Sequence, residues 1–162
     1  IGVMDLNAVH RFGVVGPSAR ASGCQLDLRL AQPYAAYPRL SFAVIKEDGG
    51  DVWSRAHVRL LEIMESIALC QQALQGLPEG ALAADMPRRM PSGEAVARVE
   101  APRGELLYYV RSEGGPRPAR VKIRTPSLPA LLALERTLPG LAVADIASVV
   151  AAADLCISCA DR

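Results

Sequence analysis

The sharpest chemical feature of the sequence is a pair of cysteines near its end, Cys156 and Cys159. Two thiolates at this spacing can grip one soft or borderline metal ion. The same spacing serves a redox dithiol, which normally follows a strand at the start of a βα unit. Here the pair follows an alanine-rich helical segment. A structural zinc site needs four ligands. The other candidates are Cys24, Cys70, His10 and His57, and none forms a second close pair. Cys70 sits inside a helical pattern, where a free cysteine is more often part of the core. Two buried thiols with no metal are the plainest alternative. The simplest reading is half of a metal site, its other half carried on different sequence.

Composition narrows the field. The chain has 162 residues, 51% hydrophobic and 22% charged, which is a globular composition. Eighteen basic residues against 17 acidic ones leave a formal net charge of +1. A nucleic-acid-binding module normally carries a clear basic excess, so no nucleic-acid partner is expected. Sixteen of the 18 basic residues are arginine, which suits bidentate ion pairs or reflects genomic base composition. No apolar run reaches the length of a membrane span, since Leu141 to Ile157 is broken by Asp145 and Asp154. Ile1 to His10 lacks the uncharged apolar stretch of a signal peptide. The chain reads as a piece of a longer protein. Its sparse, irregular cysteines fit a reducing, cytoplasmic setting.

Positioning the cysteine pair falls to the elements before it. A short helix is expected near Asp5 to Phe12, with loop up to Gly23. Residues 26–50 read as a connector, with a short strand at Leu40 to Ile45. The clearest element is a helix from Val52 to Gln75, with Asp51 as N-cap and Gly76 and Pro78 as the stop. Trp53, Ala56, Leu60, Ile63, Ile67 and Leu74 recur at steps of three and four and make one apolar face. A second stripe holds Arg55, Arg59, Glu62 and Ser66. Arg59 and Glu62 can pair at i,i+3 on a solvated face, or the stripe can be buried against a missing partner. Residues 78–95 read as loop. Strands are expected at Ala95 to Val99, Glu105 to Arg111 and Ala119 to Ile123, forming a small antiparallel sheet. Helices follow at Ser127 to Leu138, with Ser127 as cap, and at Val143 to Ala153. The fold class is therefore α+β, mainly α-helical, with long helices, a small antiparallel β-sheet and one domain over 1–162.

Several dispersed motifs in order carry a resemblance. They are Gly16-Pro17-Ser18-Ala19-Arg20-Ala21-Ser22-Gly23, Asp27-Leu28-Arg29, Pro33-Tyr34-x-x-Tyr37, the Arg55/Arg59/Glu62/Ser66 helix, Glu100-Ala101-Pro102-Arg103-Gly104-Glu105, Lys122 to Ser127 and the terminal cysteine pair. Over nearly its whole length the chain resembles the C-terminal part of the large subunit of energy-converting nickel–iron hydrogenases. It is also similar to the 49-kilodalton-type subunit of NADH:quinone oxidoreductase. The quinone-reductase subunit lacks the cysteine pair, so Cys156 and Cys159 favour the hydrogenase side. The family usually reads Asp-Pro-Cys where this chain has Asp154-Leu155-Cys156, which removes a rigid residue beside the first cysteine.

The resemblance implies roles. Cys156 would be a terminal nickel ligand and Cys159 would bridge nickel and iron. Arg103 would set its guanidinium over the open side of the metals as a catalytic residue. Without the resemblance, Arg103 reads as a loop arginine paired with Glu100 or Glu105. Ser127 would donate to a cyanide ligand on iron. Asp154 would be a carboxylate tuning the site from behind the ligands. The implied cofactor is a nickel–iron centre with cyanide and carbonyl ligands. This chain supplies two of its four cysteines, so the isolated chain is expected to lack the centre and to be inactive. The implied partners are the N-terminal half of the same subunit, an iron–sulfur small subunit and membrane subunits. The implied location is cytoplasmic and peripheral, on the inner face of the cell membrane. In the family a C-terminal extension is cleaved after cofactor insertion, and an end at Arg162 resembles that mature terminus. The alternatives are a quinone-binding oxidoreductase subunit without metal, or a structural thiol–metal module.

Overall fold

The computed structural model describes residues 1–83, 85 and 88–161. The end at Arg162 and part of the expected 78–95 loop lie outside them. Among the described residues the helices are α1 (Leu6–Phe12), α2 (Pro17–Arg20), α3 (Leu28–Ala31), α4 (Val52–Gln75), α5 (Ser127–Thr137), α6 (Val143–Ala153) and α7 (Ile157–Ala160). The strands are β1 (Gly93–Ala101), β2 (Gly104–Ser112) and β3 (Arg120–Arg124). They form an antiparallel sheet in the order β1-β2-β3, with Tyr109 opposite Val96 on one side and Lys122 on the other. The architecture is α+β and mainly helical, as the sequence suggests.

The long helix keeps its expected bounds for the expected reasons. The Asp51 carboxylate accepts from the Ser54 backbone N–H at 2.8 Å and from its hydroxyl at 2.8 Å. Those bonds hold the Asp51 carboxyl below its usual range. At the other end the Gly76 N–H reaches the Gln72 carbonyl at 3.0 Å. The short helix α1 is capped the same way, with Asp5 accepting from Ala8 N–H at 2.7 Å.

Three local expectations are corrected. Leu40 to Ile45 is not a strand; it runs along α4, whose Gln72 side chain donates to the Ser41 carbonyl and accepts from its N–H. Side chains of a helix have taken the bonds a sheet neighbour would have made. Cys70 is exposed on α4 rather than in the core. The stretch before Gly23 is not all loop, because Pro17–Arg20 make a helical turn.

The polar stripe of α4 is buried against the chain's own first segments. Arg20 is 2% exposed and reaches four places. Its Nε lies 2.6 Å from Glu62, and one terminal nitrogen lies 2.9 Å from Glu100, 3.2 Å from the Leu26 carbonyl and 3.5 Å from Asp27. Glu62 therefore pairs with Arg20, not with Arg59 as the helix spacing allows. Arg29 closes the other side of Asp27 at 2.6 Å and holds that carboxyl below its usual range in spite of burial. Burial pushes the Glu100 carboxyl up, outweighing the pull of Arg20.

The apolar core is small. Met4, Ala8, Val9, Val14, Ala19 and Ala133 form it, where α1, α2 and α5 meet. The accessible surface is 10497 Å², against roughly 7,800 Å² for a compact monomer of this mass. Part of the excess is the apolar face of α4. Trp53, Leu60, Ile63, Ile67 and Leu74 are each at least 50% exposed.

Two outcomes follow from this packing. Arg20→Ala should lower unfolding stability by about 3–5 kcal/mol, because three carboxylates lose their common cation. Urea unfolding measures it, and a loss under about 1 kcal/mol would mean the hub is not needed. The purified 162-residue chain should also associate through the α4 face. Light scattering should show a mass rising with concentration, and Leu60→Glu with Ile63→Glu should suppress the rise.

Candidate metal and proton site

Helix α6 ends at Asp154, which takes the left-handed conformation at φ 51°. That reversal turns the chain so that Cys156 stands at the N-cap of α7 and Cys159 lies one turn on. The N–H groups of Cys159 and Ala160 both return to the Cys156 carbonyl at 3.1 Å. The two thiols are hydrogen-bonded to each other. The Ser158 hydroxyl lies 3.0 Å from the Cys156 sulfur. Donation from Ser158 and then from the Cys159 thiol brings Cys156 down to about 7, with Arg103 adding a smaller effect. Cys159 is pushed up, because its proton is held by Cys156 and because it is partly desolvated. Above about pH 7 the pair therefore keeps one proton, on the Cys159 side.

Ser127 opens α5, with Pro126 at the N-cap, so the expected Ser127 cap is corrected. Its oxygen is free for the motif instead. It accepts from the Cys156 N–H at 3.2 Å, and its hydroxyl donates to the Cys159 sulfur. One serine thereby ties α5 to both cysteines.

Arg103 occupies the turn between β1 and β2. It pairs with neither Glu100 nor Glu105, which are taken by Arg20 and by Arg98. Its Nε donates to the Asp154 carbonyl at 2.8 Å and a terminal nitrogen to the Asp154 carboxylate at 3.1 Å. The turn is seated by Gly16, where a Cβ would collide with the backbone of Arg103 and Gly104. At φ +69° Gly16 also suits only glycine well. The Gly16-Pro17 motif thus positions the arginine from a distant part of the sequence.

Arg59 is the site residue that spacing alone misses. Its Nε lies 3.7 Å from the second Asp154 oxygen, and a terminal nitrogen lies 3.3 Å from Ser18 Oγ. Burial lowers its affinity for its proton, and Asp154 works against that. Its i, i+4 neighbour Arg55 is 2% exposed and donates to the Gly50 and Gly2 carbonyls. Burial and then Arg59 lower Arg55 likewise. Arg59 and Arg103 share the single carboxylate of Asp154, with Arg55 one turn behind, so the field beside the cysteines is positive. A cavity of about 380 Å³ runs from Asp154 past Arg59, Glu62, Ser66 and Glu100.

The remaining candidates stay apart. Cys24 packs on the core cluster, and His57 stacks on Trp53 and bonds Glu47 at 2.8 Å. Among the described residues no three His, Cys, Asp or Glu side chains come together as a ligand set. Two soft sulfurs, one biased to thiolate under a positive field, suit half of a soft-metal site.

The whole length of the chain, over residues 1–90 and 87–162, matches the family of the respiratory-chain NADH dehydrogenase 49 kDa subunit. The chain belongs to that family. It is similar to a carbon monoxide-induced hydrogenase of Rhodospirillum rubrum, 44% identical over all of this chain and 45% of that protein. An NADH-quinone oxidoreductase protein of Solibacter usitatus is 38% identical over all of this chain and 44% of that one. Among solved structures, a chain of the membrane-bound sulfane sulfur reductase, an archaeal respiratory membrane complex, superposes with a TM-score of 0.91. It is 36% identical, over 100% of this chain and 46% of its own. The chain thus spans less than half the length of these 49 kDa-type relatives, which are oxidoreductase subunits. No helix among the described residues is long and apolar enough to cross a membrane.

The thiol pair makes a measurable forecast. In the metal-free chain, alkylation of Cys156 should rise with pH through about 7, since the thiolate is the reactive form. Cys159 should react only above the ordinary thiol range. Ser158→Ala should move the Cys156 midpoint upward, because it removes the largest stabiliser of the thiolate. Mass-spectrometric alkylation rates for each cysteine supply the test; a Cys156 midpoint at the ordinary thiol value would contradict the geometry.

Proposed function

We propose that this chain is the C-terminal portion of a nickel–iron hydrogenase-type large subunit, acting within a membrane-associated oxidoreductase complex. The observation that carries the reading is the convergence of Cys156, Cys159, Ser127, Arg103 and Asp154 from three separate parts of the fold. Cys156 and Cys159 would hold the nickel–iron centre, with the other two thiolates supplied by the rest of a longer subunit. When bound, that centre supplies polarisation of molecular hydrogen and storage of two electrons.

The chain's own residues do the rest. Asp154 fixes Arg103 through both its carbonyl and its carboxylate, so the guanidinium keeps one orientation. A planar, permanently charged donor held this way stabilises negative charge on the thiolates without reorganising. Ser127 holds the backbone of Cys156 and the sulfur of Cys159 in register; with the centre bound, its one hydroxyl proton would turn from Cys159 to a cyanide on iron. Cys156, drawn toward the thiolate in the metal-free chain, presents the sulfur in the form that binds metal. Leu155 in place of proline gives up a fixed φ beside Cys156; the bond from the Cys156 N–H to Ser127, which either residue permits, holds the backbone there.

The match to NADH-quinone oxidoreductase proteins, together with the cavity beside Asp154, favours a second reading. There the thiols bind no metal and the cavity forms part of a quinone pocket. Metal content separates the two. The longer parent protein, purified anaerobically, should carry nickel and iron in stoichiometric amounts, and Cys156→Ser should abolish both. The 162-residue chain alone should carry neither, adventitious zinc aside. A parent without nickel sinks the hydrogenase reading in favour of the quinone one. With metal present, Arg103→Lys should keep the metal and cut hydrogen turnover per nickel by on the order of 10²–10³. Near-normal turnover per nickel would make Arg103 a loop anchor only.

A further inference from the structure

The sheet stands away from the helical core, touching it mainly through α3 and through the Gly16 contact at the β1–β2 turn. The strand registers sort its side chains by face. Ala95, Ala97, Tyr108, Val110, Val121 and Ile123 share one face. The other carries Arg98, Arg111, Arg120, Lys122 and Arg124 in neighbouring rows around Tyr109, together with Glu94, Glu105 and Val96. Near the base this charge is answered, since Glu105 pairs with Arg98 at 2.7 Å and with Arg124 at 3.5 Å. At the outer end it is answered only in part, by Glu94, which stands opposite Arg111 and hydrogen-bonds Tyr109. Arg111 stands directly opposite Arg120 in the ladder, a like-charge pair that costs stability. Arg111 is drawn aside to Glu113 at 3.2 Å, but among the described residues Arg120 and Lys122 have no ion-pair partner. Tyr109, Arg111, Arg120 and Lys122 line an open hollow of about 300 Å³.

We propose that this hollow receives carboxylates from an acidic segment of a neighbouring subunit, making the sheet a docking arm of the assembly. Three observations select that occupant. An arginine-rich hollow with a central tyrosine matches the residue types enriched at protein interfaces, and arginine binds carboxylates bidentately. Apart from Val96 and Leu107, the apolar side chains of the strands lie on the opposite face, where Ala95, Ala97 and Val121 are exposed. A bilayer surface can meet only one face of a sheet and wants apolar and basic groups on the same side; neighbouring proteins can cover both. The chain's balanced net charge argues against nucleic acid. The proposal rests on the chain working inside a multi-subunit complex, but not on any metal.

Lys122 makes the test specific, because the chain has only two lysines, Lys46 and Lys122. A carbodiimide joins a lysine amine to a carboxylate only when the two are in contact. Treating the native assembled complex and mapping linked peptides should reveal Lys122 joined to an aspartate or glutamate of another subunit. Arg120→Gln with Lys122→Gln should weaken retention of this subunit in the complex by at least roughly tenfold in dissociation constant, with a reduced salt dependence. Links from Lys122 only within its own chain, or none, overturn the proposal. So does unchanged retention of the double variant. Binding of the complex to phosphatidylglycerol vesicles that the double variant loses, without a cross-subunit link, assigns the hollow to lipid and also overturns it. Nickel content measured on the same preparation reports on the hydrogenase reading independently.

Discussion

Arg20 is the constraint on which the structure turns. A guanidinium at 2% exposure is tolerable only when carboxylates surround it, and they arrive from α4, from β1 and from the start of α3. Each of those carboxylates is itself buried or half-buried, so Glu62 and Glu100 depend on the arginine in turn, while Asp27 is shared with Arg29. The hub joins residues up to 80 positions apart. An apolar core as small as this one could not fix the angle between sheet and helices by shape alone. The ion network does so by direction, since a fork of donors accepts only one arrangement of acceptors.

That arrangement delivers the site. Glu100, held by Arg20, sits three residues before Arg103, so anchoring the end of β1 sets where the β1–β2 turn points. Gly16, four residues before Arg20, lets the turn approach closely. The turn then presents Arg103 to Asp154, which α6 offers in a left-handed cap. Asp154 is where two cationic side chains and the cysteine motif meet. Its carboxylate offsets part of the positive charge, and Arg103 adds a small pull toward the thiolate at Cys156 after the larger donation from Ser158 and Cys159. The electrostatics of the sulfur pair are set mainly within the motif by Ser158 and the two thiols, and the elements that hold the fold add Ser127 and Arg103.

Surfaces left open carry a complementary message. The α4 face is apolar at helical spacing, and the outer sheet face is cationic at strand spacing. Both patterns are ordinary for buried interfaces and costly for a monomer in water. They fit a chain that spans less than half of its 49 kDa-type relatives. A protein with its own complete core would not keep five large apolar side chains at least half exposed along one helix.

The sequence by itself determined the elements whose signals are local. Asp51, the apolar steps of α4 and Gly76 define that helix, because a cap, a period of 3.6 and a stop act within a few residues of one another. The alternation in 95–123 defines the sheet for the same reason, and the ordered motifs define the family. Cys156 and Cys159 declare themselves by spacing. Only the tertiary structure decided where the charges go. Glu62 lies one turn from Arg59, yet pairs with Arg20; Arg103 has Glu100 and Glu105 close by in sequence, yet pairs with Asp154; Ser127 stands where a cap belongs, yet serves the cysteines. Leu40 to Ile45 has strand propensity and no strand neighbour, so α4 claims its backbone. Long flexible side chains choose partners by desolvation and direction in three dimensions, and sequence proximity supplies neither.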